Sequence, residues 1–62
     1  MAKFIEVNIG SDNNPIYINA DLIVTIIPYG EQCIIRMVSE RDAITANHSA
    51  LWVIGLINGT QL

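Results

Sequence analysis

Residues 16–29 read IYINADLIVTIIPY and decide how the rest of the chain folds. They follow the turn-forming stretch GSDNNP and end at a Pro-Tyr-Gly corner. β-Branched residues dominate the stretch, which favours strand. Asn19 and Asp21 interrupt it, and their side chains favour a tight turn because they can bond the backbone two residues on. The stretch therefore predicts two strand segments, 16–19 and 22–28, joined by a backbone-bonded kink.

The second segment is apolar on both faces apart from Thr25. A strand of this kind is typical of a sheet covered on both sides. We therefore expect residues 22–27 to be covered on both faces, and because one short helix cannot cover two faces, the second cover should come from another copy. Pro28 cannot donate a hydrogen bond to a neighbouring strand, so the strand should end there or lie at an edge.

Periodicity predicts further strands on either side of this stretch. Apolar and polar residues alternate strictly over residues 3–9, which predicts a half-buried strand. In the strand predicted at 33–38, Cys33 lies on a buried face and Arg36 on the opposite one. A short last strand is expected at 43–46.

A helix is predicted at the end of the chain, over about residues 49–58. Asn47 or Ser49 can cap its start, and Asn58-Gly59 supplies a stop signal. The predicted fold class is therefore α+β, a small antiparallel β-meander of three to five strands with one short C-terminal helix. We expect a single small domain over residues 1–62, with these strands in chain order: 3–9, 16–19, 22–28, 33–38 and 43–46.

Size and composition predict self-association. A chain of 62 residues is near the lower limit for independent folding, and one cysteine with one histidine excludes an internal disulfide or a Cys/His zinc site. The predicted helix is apolar all round, and such a helix is normally buried all round. One small sheet cannot cover it, so its far side should meet another copy. The expected oligomer interface consists of four helix residues: Leu51, Trp52, Ile54 and Gly55.

The charge balance disfavours several partners. Three Lys and Arg residues stand against six Asp and Glu, whereas nucleic-acid affinity depends largely on basic side chains that neutralise phosphates. Anionic membranes are disfavoured for the same reason. No apolar run approaches the ~20 residues that a membrane span needs, and the first ten residues lack the pattern of a signal peptide. The unpaired cysteine fits a reducing compartment, so we expect a cytoplasmic protein.

No constellation of residues predicts an active site, a metal or a cofactor. Cys33 stands mid-strand between apolar residues, where cysteine usually serves as a small buried hydrophobe. His48 lies at the strand-to-helix junction and suits capping or a surface contact. Glu40 and Asp42 flank Arg41 in what should be a solvated turn. We expect no catalytic residues and no enzyme.

Three residues are candidate contacts for a partner other than the chain itself. Tyr29 follows Pro28 at a hairpin corner and suits a protein partner. Oligomerisation could gather Arg36 and Arg41 from several copies into a basic stripe. The favoured hypothesis is thus a non-enzymatic homo-oligomeric module for protein interaction or accessory assembly. The alternative is a small oligomeric nucleic-acid-binding regulator, and an enzyme comes third.

The order of predicted elements resembles the short flagellar and swarming-motility proteins of the FlbD type. The resemblance covers roughly residues 4–57. It is carried by the motif Tyr-x-Asn-x-Asp-Leu-Ile at 17–23, by Pro28, by the strand at 34–38 and by Ser49 at the helix entry. It implies a small non-enzymatic protein and supplies no catalytic residues.

Overall fold

The computed structural model describes residues 3–38, 41 and 43–59. An antiparallel five-stranded sheet carries one C-terminal helix, so the α+β prediction is confirmed. The elements are β1 (Phe4–Ile9), β2 (Asn14–Asn19), β3 (Ile23–Tyr29), β4 (Gln32–Met37), β5 (Ile44–Ala46) and α1 (Ala50–Asn58). The predicted solvated turn at 39–42 falls largely outside the described residues.

Two hairpins make up most of the sheet, and β5 joins them. β1 pairs with β2, β3 pairs with β4, and the strand order is β2-β1-β5-β4-β3. β5 pairs with β4 over three residues, but it pairs with β1 only at Ile9 and Ala46. The two hairpins therefore meet through one very short strand. β2 and β3 form the two edges of the sheet.

The kink between the two strand segments is a one-turn 3₁₀ helix, Ala20–Leu22. The Oδ1 atom of Asn19 accepts a hydrogen bond of 3.0 Å from the backbone N–H of Asp21. The backbone N–H of Ala20 donates to the carbonyl of Lys3 at 2.7 Å, which ties the kink to β1. The predicted backbone-bonded turn is confirmed.

Alternate side chains of the strands form the core on one face of the sheet, under α1. Cys33 and Ile35 of β4 have no exposed surface, whereas Arg36, which follows Ile35, is exposed on the opposite face. The predicted inward and outward faces of this strand are confirmed. The fully or nearly fully buried residues are Ile5, Val7, Ile18, Cys33, Ile35, Ala46, Ala50 and Val53.

One chain does not cover both faces of β3, although the apolar composition of this strand predicts that both are covered. Val24 is 63% exposed and Ile27 is 40% exposed, and no residue of β3 is fully buried. One chain therefore does not cover both faces of residues 22–27, and the expected cover on the second face would have to come from another copy. β5 takes the central position between the hairpins instead, which leaves β3 at the edge with one face open.

Both ends of α1 are formed as the sequence predicts. The Ser49 hydroxyl accepts a 3.2 Å hydrogen bond from the backbone N–H of Trp52 and so caps the start. Gly59 ends the helix in the left-handed region at φ 73°, a conformation that glycine adopts without steric cost. The Lys3 ammonium donates to the carbonyl of Ile57 near this end. A cation is favourable there because of the helix dipole.

Candidate functional site

A gap opens beside β1 where β5 ends. After the single pair of Ile9 with Ala46, the backbone N–H of Asn47 donates to the carbonyl of Asn8 at 2.7 Å. The chain then leaves the sheet and enters α1. The helix starts next to Asn8 and ends near Lys3, so it runs antiparallel to β1. The remaining edge of β1 is thus flanked by a helix in place of a strand.

His48 fixes the start of the helix against this edge. Its Nε2 atom accepts a 3.0 Å hydrogen bond from the backbone N–H of Asn8. An imidazole nitrogen that accepts a hydrogen bond carries no proton, so the neutral ring must be protonated on Nδ1. Burial lowers the pKa of His48 below its ordinary value of 6.5. The imidazole is therefore uncharged at neutral pH.

His48 also stacks on Trp52. The two ring centroids are 3.9 Å apart and the ring planes differ by 15°, which is a parallel stack. The two residues are four positions apart across the helix start, a spacing that places side chains on one face. The stack joins the junction to the first turn of α1.

An open pocket of about 330 Å³ lies at this gap. This volume is at the lower end of the range of ligand pockets. Two lining residues come from β1, one from the junction and two from α1. They are Glu6, Asn8, His48, Trp52 and Leu56.

Asn47 secures the junction on the other side. Its Nδ2 atom donates to the carbonyl of Gly10 at 2.8 Å and to Oδ1 of Asn13 at 3.1 Å. Its own Oδ1 accepts from Nε2 of Gln32 at 2.9 Å. One side chain therefore links the β1–β2 turn, the start of β4 and the end of β5.

Cys33 has the environment of a structural cysteine. It has no exposed surface, and burial raises the pKa of its thiol above the ordinary value. A raised pKa removes the thiolate on which nucleophilic reactivity depends. Within the described ranges, the structure contains no group of three or more His, Cys, Asp or Glu side chains that could hold a metal ion.

The four residues predicted as an oligomer interface do not share one environment. Leu51 is 81% exposed and Ile54 is 39% exposed, so both point away from the core. Gly55 is half-buried. Trp52 is half-buried and stacks on His48. The outward face of α1, defined by Leu51 and Ile54, is the part of the predicted interface that is available to a second copy.

The three predicted partner contacts are all exposed, and two of them, Tyr29 and Arg36, lie apart. Tyr29 pairs across the sheet with Gln32, and Arg36 pairs with Thr25. Gln32 and Arg36 are four residues apart on β4, about 13 Å at the usual strand rise. Arg41 is exposed beyond the end of β4. The structure of one chain therefore does not bring Tyr29 and Arg36 into one patch.

Sequence reasoning did not identify Glu6 and Asn8 as site residues. Both occupy the polar positions of an alternating strand, where solvent exposure is the ordinary interpretation. The spacing of His48 and Trp52 was the available signal, because aromatic residues four apart at a helix start can stack. That β1 would lie beside this stack depends on where β5 ends.

Searches against models of protein families, curated proteins and solved structures give no match for this chain. Among the described residues, no helix has the length and apolar character needed to cross a membrane.

Proposed function

We propose that this protein is a non-enzymatic homo-oligomeric module for protein interaction or accessory assembly, and that copies associate through the outward face of α1. One observation carries the proposal: Leu51 is 81% exposed on a helix without a single charged residue. An uncharged apolar surface is compatible with an identical surface on a second copy, because association buries no unpaired charge.

The interface must extend beyond the helix, because α1 alone is too short to bury the area of a standard protein–protein interface. A standard interface takes about 800 Å² from each partner, roughly a fifth of the 4407 Å² accessible surface of this chain. Nine residues of helix are only about 14 Å long. The outward face of α1 therefore needs neighbouring apolar surface to complete a stable contact.

Leu22 and Val38 supply such surface at the end of the sheet where α1 ends. Both are exposed, and the backbone N–H of Val38 donates to the carbonyl of Leu22 at 2.8 Å. The 3₁₀ turn that contains Leu22 is bonded to Lys3, whose ammonium reaches the carbonyl of Ile57 in the last turn of the helix. Apolar side chains at this end of the molecule can thus extend the contact made by Leu51 and Ile54.

The non-enzymatic part of the proposal is supported by Cys33 and His48. The thiol is enclosed in the core, and the imidazole Nε2 is occupied by the Asn8 backbone. A nucleophilic Cys-His pair needs an exposed thiol and a free base. The resemblance to the FlbD-type motility proteins points in the same direction, and a cytoplasmic location remains part of the proposal.

Sedimentation velocity across the micromolar range tests self-association. We expect the wild-type protein to form an oligomer and the double variant Leu51→Gln/Ile54→Gln to sediment as a monomer. Glutamine keeps helix propensity close to that of leucine, so the helix should persist. Tyr17→Gln, on the opposite face of the sheet, is the control and should leave the oligomer intact. A wild-type protein that is monomeric throughout would overturn the proposal.

A nucleic-acid-binding regulator is the second candidate function. The observation that favours it is the uncovered sheet face, where Arg36 is exposed together with Tyr17 and Tyr29. Exposed aromatic side chains on a sheet can stack on nucleic-acid bases. Salt-sensitive retention of single-stranded nucleic acid that is lost in Arg36→Ala or Arg41→Ala would support this function. Absence of retention at low salt would exclude it.

A further inference from the structure

The gap between β1 and α1 has the composition of a site for a flat cation. Among the residues that the structure describes, five line it: two provide the His48–Trp52 stack and one provides the apolar side chain of Leu56. Glu6 is the only acid among them, and none of the five is Lys or Arg. Aromatic faces attract cations through the ring quadrupole, and an acidic residue in the lining adds a favourable charge.

The two titratable residues at the pocket, His48 and Glu6, are both compatible with a bound cation. The imidazole of His48 is held in its neutral form by the hydrogen bond from Asn8, so it does not repel a cation. Within the described part of the chain, the structure records no ion pair for the Glu6 carboxylate, which is exposed. The ammonium of Lys3, which directly precedes β1, donates to the carbonyl of Ile57. Glu6 can therefore meet a cation from outside the chain.

The backbone of β1 adds polar groups at the same place. Backbone groups of alternate residues in an antiparallel strand point to alternate sides. Asn8 uses its N–H and carbonyl toward the β5 side, for His48 and Asn47. Glu6, two residues earlier, directs its backbone groups to that side as well, where β5 no longer runs. A carbonyl in this position is a hydrogen-bond acceptor for the N–H groups of a cation.

We infer that this pocket binds the guanidinium group of an arginine side chain presented by a protein or peptide partner. Guanidinium is preferred to ammonium because it is planar, stacks on aromatic rings and pairs with a carboxylate through two parallel N–H groups. A volume of about 330 Å³ suits one such side chain better than an extended segment. The inference does not depend on self-association, because it concerns a different surface from the outward face of α1.

The test titrates the isotopically labelled protein with N-acetyl-arginine amide at constant ionic strength. Trp52 is the only tryptophan, so its fluorescence reports on the pocket directly. The amide resonance of Asn8 provides a second, independent readout at the same site. N-acetyl-citrulline amide has nearly the same shape without the charge and serves as the matched ligand. N-acetyl-lysine amide tests the preference for a planar cation.

Two variants separate a specific site from a general attraction of cations to an acidic protein. Glu6→Gln removes the carboxylate at the pocket, and Asp12→Asn makes the same change of net charge in the exposed β1–β2 turn. We expect saturable binding of the arginine ligand, weakened about threefold or more by Glu6→Gln and unchanged by Asp12→Asn. Folding of both variants is checked by their amide spectra.

Several results would overturn the inference. One is the absence of a saturable change at both Trp52 and Asn8. Another is binding of the citrulline ligand as tight as that of arginine, and a third is equal weakening by Glu6→Gln and Asp12→Asn. Equal affinity for the lysine ligand would overturn the assignment to guanidinium.

Discussion

The imidazole of His48 replaces a backbone carbonyl in the hydrogen bonding of Asn8. Residues of a hydrogen-bonded antiparallel pair normally exchange two backbone bonds. Here Asn47 donates to the carbonyl of Asn8, while the N–H of Asn8 donates to Nε2 of His48 at 3.0 Å. The ladder between β1 and β5 thus ends on a side chain. A titratable group consequently holds the strand-to-helix junction.

This bond makes stability depend on pH. The folded-state pKa of His48 lies below its ordinary value of 6.5, so the folded protein prefers the neutral ring. The contribution is fully present above pH 6.5 and is lost as the pH falls from there toward the folded-state pKa, because the unfolded chain takes up the proton first. We expect the urea midpoint, followed by Trp52 fluorescence, to be constant above about pH 6.5 and to fall as the pH is lowered below it.

The variant His48→Gln is the control for the pH dependence. Glutamine offers an acceptor that does not titrate, and the chain contains no other histidine. The decline between neutral pH and about pH 5 should therefore disappear, since the carboxylates titrate mostly below that range. A wild-type midpoint that stays constant or rises on acidification would contradict the role assigned to His48.

Asn47 should contribute more to the free energy of unfolding than its partly exposed surroundings suggest. Its amide makes three hydrogen bonds, to Gly10, Asn13 and Gln32, and so links the β1–β2 turn to the start of β4. Asn47→Ala should lower the free energy of unfolding by about 1–3 kcal/mol, because it leaves several polar groups without partners. Gln32→Ala removes one of the three bonds and should cost about 1 kcal/mol. Equal effects of the two variants in urea unfolding would show that Asn47 does not act as a link.

The core under α1 should be intolerant of truncation. Ile35 has no exposed surface and lies at the centre of the sheet. Ile35→Ala should cost about 2–5 kcal/mol and Ile35→Val about 0.5–1.5 kcal/mol. A chain of this length has only about 3–9 kcal/mol of total stability, so Ile35→Ala should be largely unfolded at moderate temperature. Circular dichroism melts measure both variants, and Ile54→Ala on the outward face is the exposed control. A fully folded Ile35→Ala protein would contradict this account of the core.

The sequence pattern predicted the inward and outward faces of the strands, because buried and exposed residues alternate there. It also predicted the two ends of the helix from their capping residues. The faces of β1 and β4 follow a period of two, and Ser49 and Gly59 mark the limits of the helix. The open edge of β3 could not be predicted in this way. Its β-branched composition indicates a strand, but its position depends on β5 entering between the hairpins. The pocket escaped prediction for the same reason, since it exists only because β5 is short.

The exposed edge of β3 provides a last prediction, which separates two routes of self-association. An apolar edge strand with free backbone groups can pair with another chain. Val24 lies at a register shift in the β3–β4 ladder and is exposed, so Val24→Lys should preserve the fold. If copies meet through α1, as proposed, the variant should keep the sedimentation coefficient of the wild type.

Val24→Lys should also slow aggregation at high protein concentration, measured by light scattering, because a lysine on an edge strand opposes pairing with another strand. Dissociation by Val24→Lys, with Leu51→Gln/Ile54→Gln still oligomeric, would move the interface from the helix to the edge of the sheet.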